Sequence, residues 1–260
     1  MIEIPSHRSL GRLTPARVRA RETLVRTLWN AQGERRLPAD RALWRALAAC
    51  DPRDVWWVCE MNSYGPLYFL PTREWVLALA RLLDRLGVRR VLEAGAGDGF
   101  LARALALARP DLVVRACDSH AWGKAKARMS PRDAREFSGV RVQGIPIGAE
   151  VERLAIEAAV VKHRPELVLV AWAPPGTLVE RAIRSPVRYV LDVSVDGDVC
   201  GNGSKTWRFE KEFLAGAIEA RGVCRLDDGR SERNTRVTLY EGAKTRRRAA
   251  AGGRRADRRR

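Results

Sequence analysis

Residues Val91 to Phe100 read V-L-E-A-G-A-G-D-G-F, and the rest of the chain is arranged around them. A short apolar run ends at Glu93, glycines follow at every second position, and Phe100 opens a helical pattern. A strand that turns sharply into a helix needs residues without Cβ, because the backbone takes positive φ values and approaches a ligand closely. The stretch therefore predicts a ligand site at the carboxyl end of a first strand, where open α/β sheets bind.

The glycine spacing bears on the kind of ligand. A dinucleotide loop reads G-x-G-x-x-G, and its helix N-terminus faces a pyrophosphate. Here Phe100 stands where the third glycine of that fingerprint would fall, which argues against a dinucleotide oxidoreductase. Asp98 lies inside the loop, where its carboxylate would repel a phosphate and could cap the helix. Acidic residues framing the loop suit a cationic ligand, and the alternative is a glycine-rich turn with no cofactor.

The spacing E-x-G-x-G-x-G resembles the first motif of the class I S-adenosylmethionine-dependent methyltransferases, whose cofactor carries a sulfonium and an amino group. Asp118 is a second match to the family pattern, because it ends the predicted second strand about twenty positions beyond the glycines, where a carboxylate accepts from both ribose hydroxyls. The resemblance implies S-adenosyl-L-methionine as the cofactor. The residues it assigns to cofactor binding are Glu93, Gly95, Gly97, Asp98, Gly99, Asp118 and Ser119.

The resemblance covers roughly residues 71 to 242 and implies an α/β fold, a three-layer Rossmann-like sheet that is mostly parallel with an antiparallel last strand. We predict an N-terminal helical extension over residues 1–70, a methyltransferase domain over 71–243 and a disordered basic tail over 244–260. Predicted strands cover residues 88–93, 112–117, 140–142, 167–171, 187–193, 223–226 and 235–240. Predicted helices cover residues 14–32, 38–50, 73–86, 100–108, 149–162 and 207–220.

The loop after the fourth predicted strand, Trp172-Ala173-Pro174-Pro175-Gly176, is the candidate acceptor site. It looks like a variant of the Asn/Asp-Pro-Pro-aromatic signature of amino-group methyltransferases. Ala173 offers no hydrogen-bond acceptor and Gly176 replaces the aromatic, so we do not assign methylation of exocyclic base amino groups. The segment also resembles a poorly characterised bacterial and archaeal group with Trp-x-Pro-Pro here. We predict that Trp172, Pro174 and Pro175 wall a substrate pocket, with core packing of Trp172 as an equal alternative.

No catalytic residue is assigned from the sequence. Asp196 and Asp198 lie in a turn rich in Gly and Asn, which fits either an active-site loop or a simple connection. Gln143 or backbone groups would have to contact the adenine, and His120 is expected to be a polar surface residue. The aromatic-dense residues 55–59 and 64–71 are expected to pack the helical extension onto the main domain, or alternatively to form a lid or substrate wall.

Charge and cysteine content restrict the other classes of function. The net charge is +17, and residues 244–260 hold nine basic side chains and one acid, so nonspecific nucleic-acid binding through the tail is expected.

The cysteines are five in number, scattered and without a C-x-x-C pair, which argues against a disulfide framework and predicts no metal site. The chain shows neither a signal-peptide pattern nor an apolar run long enough to cross a membrane, so we expect a cytoplasmic location.

Together these features predict a methyltransferase that uses S-adenosyl-L-methionine on an unidentified acceptor, with a small molecule favoured. The alternatives are an RNA or protein methyltransferase, or a non-catalytic nucleic-acid-binding protein on the same fold, since fold alone does not settle function.

Overall fold

The structure, a computed structural model, describes residues 14–61, 67, 69–120, 147–173, 176–195, 206–215 and 235–245. These described residues divide into two compact units, with the boundary between Glu74 and Trp75. The described part of the first unit contains the helices α1 (Pro15–Leu28), α2 (Asp40–Ala48) and α3 (Pro52–Met61). The predicted helices at 14–32 and 38–50 are confirmed, whereas α3 occupies an aromatic stretch to which we had assigned no element.

The first unit has an apolar core of its own. Helix α1 begins at Pro15, because the Thr14 side chain accepts a hydrogen bond from the Arg17 N–H (3.3 Å) and Pro15 is favourable at the first helical position. The buried apolar residues of this unit form one cluster: Leu24, Leu28, Trp29, Leu43, Ala46, Leu47, Val55, Val58, Cys59, Leu67 and Leu70. Two residues of the aromatic stretch, Val55 and Val58, therefore pack within the helical unit.

A buried ion cluster joins α1 to α3. Asp54 is fully buried and accepts hydrogen bonds from Arg17 (2.8 Å) and Arg21 (2.7 Å), and the Arg21 guanidinium lies 4.5 Å from the Trp57 ring centroid. Burial alone would raise the pKa of Asp54, but the hydrogen bonds from the two arginines outweigh it and lower that pKa. The carboxylate is therefore ionised inside the helical unit.

The second unit is an α/β domain. Its helices are α4 (Arg73–Arg85), α5 (Phe100–Ala108), α6 (Ile156–His163) and α7 (Leu178–Arg184), the first of which begins two residues before the boundary. Its strands are β1 (Arg90–Ala94), β2 (Val113–Cys117), β3 (Leu167–Ala171), β4 (Tyr189–Val195), β5 (Lys211–Leu214) and β6 (Thr235–Glu241). They form one sheet in the order β2-β1-β3-β4-β6-β5.

The strand directions confirm the predicted fold class. The strands β2, β1, β3 and β4 pair in parallel, and β6 inserts antiparallel between β4 and β5. Leu92, Val168 and Val190 share a core cluster with residues of α6 and α7, while Glu93, which points to the opposite face, contacts the backbone of α5. The sheet therefore has helices on both faces, which is the three-layer arrangement of a Rossmann-like fold.

The predicted helix over residues 149–162 is wrong in its first half, because α6 begins only at Ile156. Residues before it pair with the outer edge of β2 through an isolated parallel bridge between Cys117 and Glu152. The Glu152 N–H donates to the Ala116 carbonyl (3.0 Å), and the Asp118 N–H donates to the Glu152 carbonyl (2.9 Å). Backbone groups used in this way cannot form the i to i−4 bonds of a helix.

The predicted helix over residues 207–220 is wrong in its described part, since Lys211–Leu214 form β5 and pair antiparallel with β6, and residues 216–220 lie outside the described residues. Phe213 on this strand is 55% exposed. Pairing with a partner distant in sequence overrides the local helical tendency of a short segment, because strand formation depends on its neighbours. The strands predicted at 140–142 and 223–226 lie outside the described residues.

Candidate functional site

The glycine loop lies between β1 and α5, as the sequence predicts. Gly95, Gly97 and Gly99 have φ values of +72°, +54° and +70°, a region that side chains with Cβ rarely adopt. The Gly95 N–H donates to the Cys117 carbonyl (2.9 Å), so the loop folds over the end of β2. A Cβ on Gly99 would lie 2.7 Å from a methyl group of Val151, so this glycine also permits close packing against the loop.

Two carboxylates of the predicted site bind the backbone at the start of α5. Glu93 is buried on β1, and its Oε2 accepts a hydrogen bond from the Ala102 N–H (2.8 Å). Asp98 accepts one from the Phe100 N–H through Oδ1 (3.0 Å). Negative side chains at a helix N-terminus are favourable because of the helix dipole. They also occupy amide donors that a dinucleotide loop would offer to a pyrophosphate.

Asp118 follows β2 and faces the same loop. Its Oδ2 accepts a hydrogen bond from the Gly97 N–H (3.1 Å), and its Oδ1 accepts one from the His120 N–H (2.7 Å). The side chain is partly exposed, and Ser119 and His120 beside it are exposed. A carboxylate has about four acceptor positions, so Asp118 keeps capacity for the hydroxyl groups of a ligand. The structure thus brings Asp118 to the glycine loop.

Residues 147–152 form one side of this loop, which sequence reasoning missed. The Gly148 N–H donates to the Gly97 carbonyl (3.1 Å), and a Cβ on Gly148 would lie 2.4 Å from the Asp98 carbonyl oxygen. Gly148, the residue just before the predicted helix over 149–162, was the available signal, because an isolated glycine can mark a close approach of two backbones. Gln143, the proposed adenine contact, lies outside the described residues.

Trp172 directly follows β3 at the carboxyl edge of the sheet. It is partly buried and has a φ of +58°, and its N–H donates to the Val193 carbonyl (2.8 Å). A positive φ is an outlier for a bulky residue and costs about 1–3 kcal/mol. The remaining pocket candidates Pro174 and Pro175, and the turn aspartates Asp196 and Asp198, lie outside the described residues.

Asp192 is a buried carboxyl group on β4 that the sequence analysis did not single out. It is 5% exposed, and its Oδ2 accepts a hydrogen bond from the Ser194 hydroxyl (2.9 Å). Burial raises the pKa of Asp192 to about 7, and the Ser194 hydrogen bond lowers it in part. The sequence signal was an acidic residue within the otherwise apolar run from Val190 to Val193.

Within the described part of the chain, clustered metal-ligating side chains would indicate a metal site, and a long apolar helix would indicate a membrane segment. Among those residues, the structure contains no group of three or more His, Cys, Asp or Glu side chains that could hold a metal ion. The helices of that same part include none with both the length and the apolar character that a membrane crossing requires.

Comparison with known proteins gives similarity of fold alone. No family model matches the chain, and no curated protein matches its sequence. The solved methyltransferase domain of bacterial CtHen1-C is 14% identical over 66% of this chain and 98% of that chain, with a TM-score of 0.39. The CMeT domain of citrinin polyketide synthase is 13% identical over 88% of this chain and 66% of that one, with a TM-score of 0.39.

A third similar structure is precorrin-6y C5,15-methyltransferase from Geobacter metallireducens GS-15. It is 14% identical over 65% of this chain and 86% of that chain, with a TM-score of 0.35. At TM-scores this low, the likeness carries no argument about the activity of this chain.

Proposed function

We propose that the chain binds S-adenosyl-L-methionine at the glycine loop and transfers its methyl group to a small molecule. The observation that carries the proposal is the set of carboxylates around the loop, Glu93, Asp98 and Asp118. Two of them accept hydrogen bonds from the first turn of α5, at Ala102 and Phe100. Because these carboxylates already occupy backbone N–H donors at the loop and make it negative, the loop disfavours a phosphate ligand and favours a cationic one.

Each predicted residue has a role that fits its position. Asp118 holds the ribose, because its carboxylate is partly exposed and keeps free acceptor positions. Gly95 and Gly97 allow the ligand to approach the backbone closely. Glu93 is 4% exposed, so it acts by fixing the start of α5 and adds negative charge beneath the loop. Ser119 adds a hydroxyl group next to Asp118.

When bound, the cofactor supplies an electrophilic methyl group. The chain must hold the acceptor in line with that methyl, and proximity and orientation provide much of the rate. Trp172 fits this role because it follows a buried strand at the carboxyl edge and is held in a strained backbone conformation. We propose that Trp172, together with Pro174 and Pro175, forms the wall against which the acceptor lies.

The net charge of +17 supports a second candidate, which is an RNA methyltransferase or a non-catalytic nucleic-acid-binding protein. Much of this charge lies in the Arg-rich residues 246–260, which hold eight arginines and one aspartate. Such a tail binds polyanions whatever the acceptor is, so charge alone does not distinguish these candidates.

The test has two parts. Titration calorimetry with S-adenosylhomocysteine and with NAD distinguishes an S-adenosylmethionine site from a dinucleotide site. We expect S-adenosylhomocysteine to bind and NAD not to bind. Incubation with methyl-labelled S-adenosylmethionine and cell extract then sorts label into small-molecule, protein and RNA fractions. Micromolar NAD binding without a response to S-adenosylhomocysteine would overturn the assignment, and label confined to RNA would establish the second candidate.

A further inference from the structure

Asp192 is a buried acid in the interior of the sheet domain with incomplete hydrogen bonding. Its Oδ2 accepts from Ser194, whereas Oδ1 has no hydrogen-bond partner among the residues that the structure describes. A buried polar atom without a partner costs about 1–3 kcal/mol, so its retention calls for an explanation. Catalytic and binding groups are a common reason for such unsatisfied acids.

The position of Asp192 relates it to the glycine loop. In the strand register Glu93 pairs with Leu169, and Val170 pairs with Asp192, so Asp192 is level with Ala94, the last residue before the loop. Two strand spacings separate them, which is about 10 Å. Val170 of β3 lies between them, so an acceptor that reaches both would have to span this distance past the end of β3.

The surroundings of Asp192 are polar on one side only. Asp192 pairs with Thr238 of β6, which is buried, and with Val170 of β3. Tyr240 lies on the same face of β6; burial raises the pKa of Tyr240, a hydrogen bond with Thr206 lowers it, and the negative charge of Asp192 raises it. Asp192 therefore lies beside hydroxyl groups. Arg236, which pairs with Ser194 on this face of β6, is exposed, and its guanidinium carbon lies 4.9 Å from the Phe213 ring centroid.

Charged groups on the neighbouring elements have other partners. On α7, Glu180 forms ion pairs with Arg184 of the same helix and with Arg208. Arg181 of α7 forms an ion pair with Glu157. On β5, Lys211 lies over the Tyr240 ring, with its Nζ 6.0 Å from the ring centroid, and donates to the Trp207 carbonyl (2.8 Å). On β3, the strand residues Leu167–Ala171 carry no titratable side chain. The protonation of Asp192 is thus governed by burial and by Ser194.

We propose that Asp192 binds the methyl acceptor and receives the proton that the acceptor releases. This inference rests on the proposed methyl transfer and specifies its substrate as a small molecule with an N–H or O–H at the reacting atom. The acceptor lone pair forms the new bond to the methyl carbon, the methyl–sulfur bond breaks, the sulfonium becomes a neutral thioether, and the acceptor proton passes to Oδ1 of Asp192. Asp192 then returns the proton to solvent.

Burial of the carboxyl also limits the size of the acceptor. A side chain that is 5% exposed is reached by a small molecule or a narrow group, and not by a broad macromolecular surface. A group with a pKa near 7 is suited to general base catalysis, because it is about half ionised at neutral pH and its ionised form accepts a proton readily.

The experiment compares the full-length wild type with three variants. Asp192→Asn removes the base, Ser194→Ala removes the hydroxyl donor, and Asp111→Asn is the matched control on an exposed residue before β2. Two quantities are measured against pH. The first is label transfer from methyl-labelled S-adenosylmethionine to the small-molecule fraction of a cell extract. The second is the carboxylic acid C=O stretch of Asp192, read by infrared difference against Asp192→Asn with S-adenosylhomocysteine bound.

We expect Asp192→Asn to lower transfer at least about hundred-fold, the usual share of a general base, with S-adenosylhomocysteine affinity retained. In the wild type, the acid limb of the rate profile should coincide with the infrared midpoint. Ser194→Ala should move the acid limb and the infrared midpoint to higher pH together. The reason is that the Ser194 hydrogen bond stabilises the charged form of Asp192, and the variant lacks it. Asp111→Asn should move neither.

Full transfer by Asp192→Asn, or a rate profile that stays in place while Ser194→Ala moves the infrared midpoint, would overturn the inference and leave the proposed function standing. If Asp192→Asn does not fold, the joint shift in Ser194→Ala decides. Failure of the wild type to bind S-adenosylhomocysteine would instead remove the proposed function, and the inference with it.

Discussion

Asp118 is the single residue on which cofactor affinity should depend most. Its carboxylate already bonds to the loop through the Gly97 N–H and keeps acceptor positions for ribose hydroxyls. We expect Asp118→Ala to weaken S-adenosylhomocysteine binding by about 1.5–3 kcal/mol, the range for hydrogen bonds to a charged group, as measured by titration calorimetry. Asp111→Ala, at the other end of β2, is the control and should bind normally. Equal affinities for the two variants would contradict the ribose role.

Trp172 combines a strained backbone with a position at the strand edge. We expect Trp172→Ala to reduce turnover while cofactor affinity stays nearly intact, because the residue belongs to the proposed acceptor wall and not to the glycine loop. Steady-state rates and calorimetry measure the two effects. Thermal unfolding provides the control: if the variant loses folding cooperativity together with cofactor affinity, Trp172 is a core residue and the pocket role is wrong.

Asp192 should also give stability a recognisable pH dependence. Its pKa is about 7 in the folded chain and about 3.9 when unfolded, so the folded state holds the proton more tightly between these values. The contribution of protonated Asp192 to the free energy of unfolding is therefore full below about pH 4, and it is lost as the pH rises towards 7. The slope is at most about 1.4 kcal/mol per unit. Urea unfolding of wild type and Asp192→Asn from pH 4 to 8 should show this slope in their difference, and parallel curves would contradict it.

Some residues of the candidate site could be predicted from the sequence and others could not. The glycine loop and Asp118 were predictable, because the spacing of the glycines and the strand end are properties of the chain itself. The Asp192 oxygen that has no hydrogen-bond partner among the described residues was not predictable, and neither was the positive φ of Trp172, since burial and strain depend on β3, β4 and β6 together.

Among the elements, agreement between local pattern and tertiary contacts decided what could be predicted. Helix α5 and strand β3 have the predicted bounds, because each combines a clear apolar pattern with flanking breakers. The two wrong helices share another cause. Residues 149–155 and 211–214 place their backbone against β2 and β6, and such long-range hydrogen bonds leave no periodic signal in the sequence.

The buried ion cluster of α1 and α3 makes a prediction about the helical unit. Removing one partner of such a cluster leaves the other charges buried and uncompensated. Without Asp54, this would apply to Arg21, which is 7% exposed. We expect Asp54→Ala to destabilise the first unit by about 3–5 kcal/mol, measured by calorimetric unfolding. The control is Glu22→Ala, which removes an exposed ion pair to Arg26 and should change little. A loss below about 1 kcal/mol for Asp54→Ala would show that the cluster is not required.

For the whole molecule, the distribution of charge matters more than its total. The described fold continues to Thr245: the Lys244 N–H donates to the Val187 carbonyl (3.1 Å), and the Thr245 hydroxyl donates to the Arg188 carbonyl (2.9 Å). These contacts attach residues 242–245 to the beginning of β4. A truncation that tests the basic tail must therefore follow Thr245, because an earlier cut would also remove contacts of the sheet.

We expect the chain truncated after Thr245 to fold and to keep its affinity for S-adenosylhomocysteine. It loses eight arginines and one aspartate, a net charge of +7, and with them most of its nonspecific nucleic-acid binding. The slope of log K against log salt should become shallower by up to about 5 for single strands and about 6 for duplex DNA. Fluorescence anisotropy on an unrelated oligonucleotide across a salt series measures this change. Because tail electrostatics do not discriminate between sequences, tight binding of one particular RNA by the truncated chain at physiological salt would point to a specific site on the fold. In that case the small-molecule acceptor should be given up in favour of RNA.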